Sequence, residues 1–246
     1  RLDDAAFGVK LLLSRNDAES MDLARRLDQA NAERQDLEDE IGREACARVE
    51  AERLYESRRS LVLCDEEWHP GVVGIVASRL VEKYYLPAVV LTRDKDGLKG
   101  SARSIRNLNL VETLRECGEH LSKFGGHFYA AGLSLTRERL GAFSEAFDVA
   151  VRARLKEDDF QPSLKLDVPS DLATIDASLL DEIRRLEPFG LGNPEPVLLL
   201  SGLKVRESRI VGEKHLRLRV GEGGASLGAI GFRLADKIPP LDAAVD

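Results

Sequence analysis

Apolar positions change their spacing along this chain, and each change marks a different kind of element. Leu23, Leu27, Ala30, Leu37 and Ile41 fall three or four apart, with Glu, Asp and Arg between them. That is the pattern of a helix with one apolar stripe. No Pro interrupts residues 16–55, and Gly42 is their only Gly. Asn16 followed by Glu19 predicts an N-cap with a capping-box partner. Forty helical residues would reach about 60 Å, so a single connecting helix is expected, with a helical hairpin or coiled-coil arm as the alternative.

The spacing then alternates between short apolar runs and amphipathic stretches. Residues 60–65 read as a buried strand and 72–84 as a helix with Val73, Val76, Ala77, Leu80 and Val81 inward. Pro87 opens a second strand, Ala88 to Leu91. Lys95-Asp96-Gly97 makes a turn and 98–105 a third strand. Residues 110–121 read as a helix, 130–135 as a fourth strand and 140–155 as a closing helix. Strands alternating with helices predict an α/β domain, a mixed sheet with helices on both faces.

Beyond the acidic, Pro-ended stretch 157–162 the pattern changes again. Residues 164–168 alternate, 176–186 form a short helical pattern, and 188–194 are a Pro- and Gly-rich turn. Four runs follow, at 197–200, 203–211, 215–220 and 225–232, separated by Gly-containing turns. Short strands at this spacing predict a small all-β barrel. The expected divisions are 1–57, 58–158 and 159–246.

Composition adds limits. The 246 residues are 43% hydrophobic and 32% charged, ordinary for a globular protein. No apolar run approaches the roughly 18–20 residues of a membrane span, and no signal-peptide pattern is seen. Cys46, Cys64 and Cys117 are far apart and odd in number, which predicts buried thiols and a reducing cytoplasm. The sequence does not begin with Met and opens on Arg1-Leu2-Asp3-Asp4, which suggests a piece of a longer protein.

Net charge is −7, at first sight wrong for a nucleic-acid binder, but it is unevenly spread. Residues 1–57 hold 9 basic and 15 acidic side chains, 58–137 hold 12 and 9, 138–197 hold 7 and 13, and 198–233 hold 7 and 3. Phosphate binding answers to the local patch more than to the total. Two locally basic segments therefore permit nucleic-acid binding.

Three clusters could carry it. In Trp68-His69-Pro70-Gly71-Val72-Val73-Gly74 a strand ends and a helix begins. Gly71 could let a ligand approach the backbone and helix-start N–H groups favour anions; equally, Gly71 and Gly74 could serve only tight packing. In Lys99-Gly100-Ser101-Ala102-Arg103-Ser104, the hydroxyls of Ser101 and Ser104 and the guanidinium of Arg103 suit a phosphate, with a solvated strand as the alternative. In Phe124-Gly125-Gly126-His127-Phe128-Tyr129, backbone donors, a titratable ring and stacking surfaces meet and could hold a terminal nucleotide. In the β-rich segment Lys204, Arg206, Arg209, Lys214, Arg217 and Arg219 could track a phosphate backbone, though aromatic residues are few there. With four His in all and no Asp/His cluster at ligand spacing, no metal site is expected in this sequence.

These three clusters, in this order, resemble the domain that follows the catalytic domain in the DHH phosphoesterase superfamily, with Gly125-Gly126-His127 as its hallmark. The fuller pattern, 68–79 with 100–104, is similar to the RecJ branch of single-strand-specific exonucleases. Arg1-Leu2-Asp3-Asp4-Ala5 resembles the close of a catalytic domain, residues 16–56 its connecting helix, and Glu187 to Pro194 the approach to an oligonucleotide-binding (OB) barrel. The resemblance implies a 5′→3′ exonuclease of repair and recombination using Mn²⁺ or Mg²⁺ held by residues outside this sequence. It implies that Ser101, Arg103, Ser104, Gly125, Gly126, His69, Gly71 and Arg1 contact DNA, and that His127 supports catalysis. It further implies a monomer that binds single-stranded DNA and meets single-strand-binding protein. Within the superfamily, a phosphodiesterase of short oligonucleotides or nucleotides is the alternative, and a non-catalytic DNA-binding scaffold is another.

Overall fold

The computed structural model describes residues 5–190, 192–237, 239, 244 and 245. The chain divides into two compact units, Arg1–Pro162 and Ser163–Asp246.

The first unit begins with α1 (Ala5–Leu13), which packs against α2 (Asp17–Ala51). One unbroken helix of 35 residues runs about 50 Å, so the hairpin alternative is not what forms. The Asn16 side chain caps it, accepting from the Ala18 and Glu19 amides at 2.9 and 3.2 Å. The other half of the expected capping box is not made: the Glu19 carboxylate accepts from the Ser14 hydroxyl at 3.0 Å instead. The second half of α2 does more than connect. Ile41, Ala45 and Val49 are buried in one core with Val73, Val76, Ala77 and Leu80. A short helix, α3 (Leu54–Ser57), then leads into the sheet.

The sheet contains β1 (Leu61–Cys64), β2 (Ala88–Asp94), β3 (Gly97–Arg103), β4 (Lys123–Gly126) and β5 (Ala130–Leu135), in the order β1-β2-β3-β5-β4. Only the β1–β2 pair is parallel. Helix α4 (Val73–Tyr84) joins β1 to β2 and, with α2, covers Leu61, Leu63, Ala88 and Val90. Helices α5 (Leu110–Glu116) and α6 (Leu140–Arg154) cover the opposite face, where Val89, Leu91, Leu98, Ala102, Leu133 and Leu135 meet the stacked rings of Phe143 and Phe147. Residues 88–91 are buried throughout because helices lie on both faces, which is why they read as one apolar run. The mixed sheet with helices on both faces is as expected.

Two details differ. Strand β4 had no sequence signal: its residues, Lys-Phe-Gly-Gly, read as a turn. The helix expected to Leu121 stops at Glu116, and a single 3₁₀ turn at Gly118–His120 follows, since Gly118 favours leaving the helix.

The second unit is β-rich. It contains β6 (Val168–Pro169), α7 (Ala177–Arg184), β7 (Leu198–Leu199), β8 (Leu203–Val211), β9 (His215–Glu222), β10 (Ala225–Gly231) and β11 (Ala244–Val245). An antiparallel sheet in the order β10-β9-β8-β11 curls into an OB-type half-barrel, and β6 pairs parallel with β7. Its core is small: Leu172, Leu203, Val205 and Val220 are buried, with Leu200, Leu218 and Leu227 packed on them. The alternation at 164–168 yields only the two-residue β6, because most of that stretch has no partner strand. The Asp176 carboxylate caps α7, accepting from the Leu179 amide at 2.8 Å. Among the described residues no helix is long and apolar enough to cross a membrane.

Candidate nucleic-acid interface

The turn from β1 into α4 is fixed from below. Trp68 is 3% exposed; its indole donates to Glu44 of α2 at 2.9 Å and lies beneath the Arg48 guanidinium. The half-buried His69 closes the turn, its Nδ1 accepting from the Gly71 amide at 3.0 Å and its carbonyl from the Val72 amide at 3.1 Å. The Gly71 N–H is therefore spent within the turn, which corrects the expectation of a free donor there. Arg79 holds Glu38 and Asp39 of α2 at 2.6 and 2.7 Å, tying helix to helix.

Gly74, in the first turn of α4, is where this motif meets the next one. A Cβ on Gly74 would stand 3.1 Å from Arg103 Nη2 and 3.2 Å from Ser101 Oγ. Its missing side chain leaves room for those two on the sheet below. Tight packing is thus the better account of Gly74.

Arg103 differs from the other arginines that line this unit's core. Burial alone pushes its pKa down, and it has no carboxylate partner among the described residues. One guanidinium N–H donates to the Ala102 carbonyl at 2.8 Å. A partly desolvated cation without a counter-charge is costly and is relieved by an anion that accepts its remaining donors. Ser101 stands on the same face of β3, since alternate residues of a strand share a face. Ser104 does not join them as expected: its hydroxyl donates to the Leu108 carbonyl at 2.8 Å and closes the loop 104–108.

The Gly-Gly-His motif forms the β4–β5 hairpin. A Cβ on Gly126 would lie 2.3 Å from the Ala130 carbonyl oxygen, so only glycine lets the strands close there. The His127 amide donates to Ala130 at 2.8 Å, while the Phe128 and Tyr129 carbonyls accept from Leu110 and Ser104 at 2.9 and 3.0 Å. The tip is therefore pinned on both sides. His127 is exposed and its ring makes no hydrogen bond among the described residues. Phe128 and Tyr129 meet edge to face at 4.7 Å and are 41% and 56% exposed. The structure thus places Ser101 and Arg103 on β3, Gly125 and Gly126 on β4 with β5 between the two strands, and His127 in the turn that follows β4; Arg1 lies outside the described residues.

In the β-rich unit, register sets the charge pattern. Arg209 of β8 is directly opposite Arg217 of β9, which in turn faces Ile230 of β10. Like charges directly opposite repel, and neither arginine has an ion-pair partner among the described residues. Arg219 is compensated by Glu207 at 3.4 Å. Lys204 is exposed on β8, Arg206 sits at the bulge between Val205 and Glu207, and Lys214 is in the β8–β9 turn. The sequence reading missed Phe232, which is 70% exposed and meets His215 edge to face at 5.4 Å. Its place just after the last long strand was the available signal.

Among the described residues no three His, Cys, Asp or Glu side chains are grouped so as to hold a metal ion. The chain as described does not fit a metal centre by itself.

Comparison with known proteins matches residues 58–153 to the DHHA1 domain and residues 166–245 to the RecJ OB domain. The single-stranded-DNA-specific exonuclease RecJ of Bacillus subtilis is 36% identical over 236 residues, covering 94% of this chain and 30% of that protein. RecJ of Escherichia coli is 35% identical over 251 residues, covering 98% of this chain and 43% of its own. The crystal structure of Thermus thermophilus RecJ with Mn²⁺ superposes with a TM-score of 0.74 at 32% identity, over 92% of this chain and 33% of that one. The chain therefore spans less than half the length of these relatives. It matches the DHHA1 domain and then the RecJ OB domain, and nearly its whole length is similar to part of these RecJ proteins.

Proposed function

We propose that this chain is the substrate-gripping part of a single-stranded-DNA-specific 5′→3′ exonuclease of DNA repair and recombination. The observation that carries the reading is Arg103: half-buried, without a counter-charge, beside Ser101 and one strand from the pinned His127 hairpin. That arrangement accepts a phosphate, and the RecJ name of its relatives identifies the polymer it belongs to. Ser101 and Arg103 bind a phosphate near the scissile bond, and the exposed His127 ring supports the reaction from the hairpin tip. The Arg209–Arg217 surface holds the strand elsewhere.

Manganese or magnesium belongs to the whole enzyme in this reading and is held by residues beyond those described here. Its chemistry is activation of water and relief of phosphate charge. The protein acts as a cytoplasmic monomer and meets single-strand-binding protein.

The test is a titration of this chain with single-stranded DNA of mixed sequence at increasing salt. Affinity should fall steeply with salt and vary little with sequence. No nucleotide should be released with Mn²⁺ added. Salt-independent binding, or degradation by this chain alone, would sink the proposal.

A further inference from the structure

Helix α4 roofs Arg103, and a contact that sets its height comes from another element. A Cβ on Gly74 would stand 3.1 Å from Arg103 Nη2 and 3.2 Å from Ser101 Oγ, inside the roughly 3.5–4.0 Å at which atoms pack best. The start of α4 therefore lies as close to those two side chains as a glycine allows. A shift of even a fraction of an ångström changes how far Arg103 is shielded from water.

The residues leading into α4 form one piece. Val72 and Val73 share a core with Trp68, and His69 closes the turn onto the Gly71 and Val72 amides. Trp68 is anchored at both ends. The Thr92 hydroxyl of β2 donates to its carbonyl, and its indole N–H donates to the Glu44 carboxylate of α2 at 2.9 Å. Arg48, one helical turn on, steadies that carboxylate. It donates to Glu44 and Asp65 and, at 3.2 Å, to the Cys64 carbonyl. A buried indole N–H needs an acceptor, so the ring follows Glu44. Glu44 itself is exposed, and an exposed charged contact holds little of a fold together. Its bond to the indole therefore aims the turn more than it stabilises the core.

We propose that Glu44 is a positioning residue for the phosphate site: by holding the Trp68 indole from α2, it sets the start of α4 over Ser101 and Arg103 and makes the long helix part of the grip. This rests on the reading that Arg103 binds phosphate. A confined guanidinium has little freedom left to lose when an anion arrives. With the indole released, the turn relaxes, the roof lifts, and Arg103 regains both water and freedom.

The experiment measures binding of a short oligothymidylate to the full chain at one fixed low salt concentration, with the melting temperature of each variant. It also follows the emission of Trp68, the single tryptophan of the chain. Glu44→Ala should weaken binding about tenfold. That sign runs against plain electrostatics, since removing an acidic side chain alone strengthens attraction to phosphate. Glu44→Gln removes the same charge, keeps an acceptor for the indole, and should bind at least as well as wild type. Trp68 emission should shift in Glu44→Ala and hold in Glu44→Gln. On an Arg103→Ala background, Glu44→Ala should weaken binding no further, because both act through one site. If the wild-type chain does not bind, or Arg103→Ala binds as tightly as wild type, the proposed function itself fails at this site. If Arg103→Ala weakens binding while Glu44→Ala binds as wild type or better, Glu44 positions nothing and the grip stands. Equal weakening with and without Arg103 also overturns the proposal, since the effect then bypasses Arg103. Should Glu44→Ala fail to fold, Trp68→Phe, which removes the N–H and keeps an aromatic ring, decides by the same cycle.

Discussion

The two units hold cations in opposite ways. In the α/β unit Arg103 is half-buried, roofed by the start of α4 and confined by the space Gly74 leaves. In the β-rich unit Arg209 and Arg217 are exposed, and only strand register sets them together. A confined cation has little freedom left to lose and is poorly screened, so it positions an anion. An exposed pair attracts phosphates through a screened field and holds them loosely. In the proposed function, that difference assigns the first surface to placing one phosphate and the second to retaining a polymer.

The largest effect expected is on cleavage by the intact enzyme. Arg103→Ala, and separately His127→Ala, should slow it by about a hundredfold or more with much smaller losses of affinity. Comparable rate losses from Arg209→Ala or Arg217→Ala, measured in single-turnover assays, would abolish the distinction between the units.

Next comes the frame beneath the first surface. Asp148 of α6 is 5% exposed and accepts from the Arg59 amide at 2.7 Å, the Ser60 amide at 2.9 Å and Arg152 Nε at 2.7 Å. It thereby secures the chain where β1 begins. Asp148→Ala leaves those donors unpaired and should cost about 3 kcal/mol, read from denaturant unfolding. Unfolding unchanged from wild type would mean that Asp148 does not secure this frame.

Smaller effects follow in the β-rich unit. Arg209→Ala with Arg217→Ala should weaken single-stranded DNA binding alike on all sequences and lower the salt slope by about two. Phe232→Ala should remove about 1 kcal/mol of stacking without changing that slope, which separates ring from charge.

The smallest concerns acid stability. The Glu67 amide, at 2.8 Å, and the Arg48 guanidinium hold the Asp65 carboxyl below the usual carboxylate range. A depressed folded pKa stabilises the fold above the unfolded value of about 4, and that share is lost as pH falls through the folded pKa. Asp65→Asn should therefore lower stability near neutrality, where that share is present, change it little below the folded pKa, and so flatten the acid limb of stability against pH in denaturant titrations.

Much of this was legible beforehand. The α2 stripe, the β2 run and the alternation of β3 carry their periods in sequence because one or both faces are buried. Strand β4 was not legible, since its edge position and exposed glycines leave no apolar period. Ser101 and Ser104 look equivalent in sequence, and only the Leu108 carbonyl, four residues on, distinguishes them. His69 and Gly71 looked like ligand groups, and nothing in the sequence showed that His69 Nδ1 accepts from the Gly71 amide.

The sequence alone determined the order of the main elements apart from β4, the two locally basic segments and the three motifs with their residue types, because period, charge and residue chemistry are local. Tertiary structure decided what each motif residue is for. It set Gly74 over Arg103, left Arg103 without a carboxylate, and brought Glu44 to the Trp68 indole. Those assignments depend on which strand or helix lies alongside, and that is settled by packing and register between residues far apart in the chain.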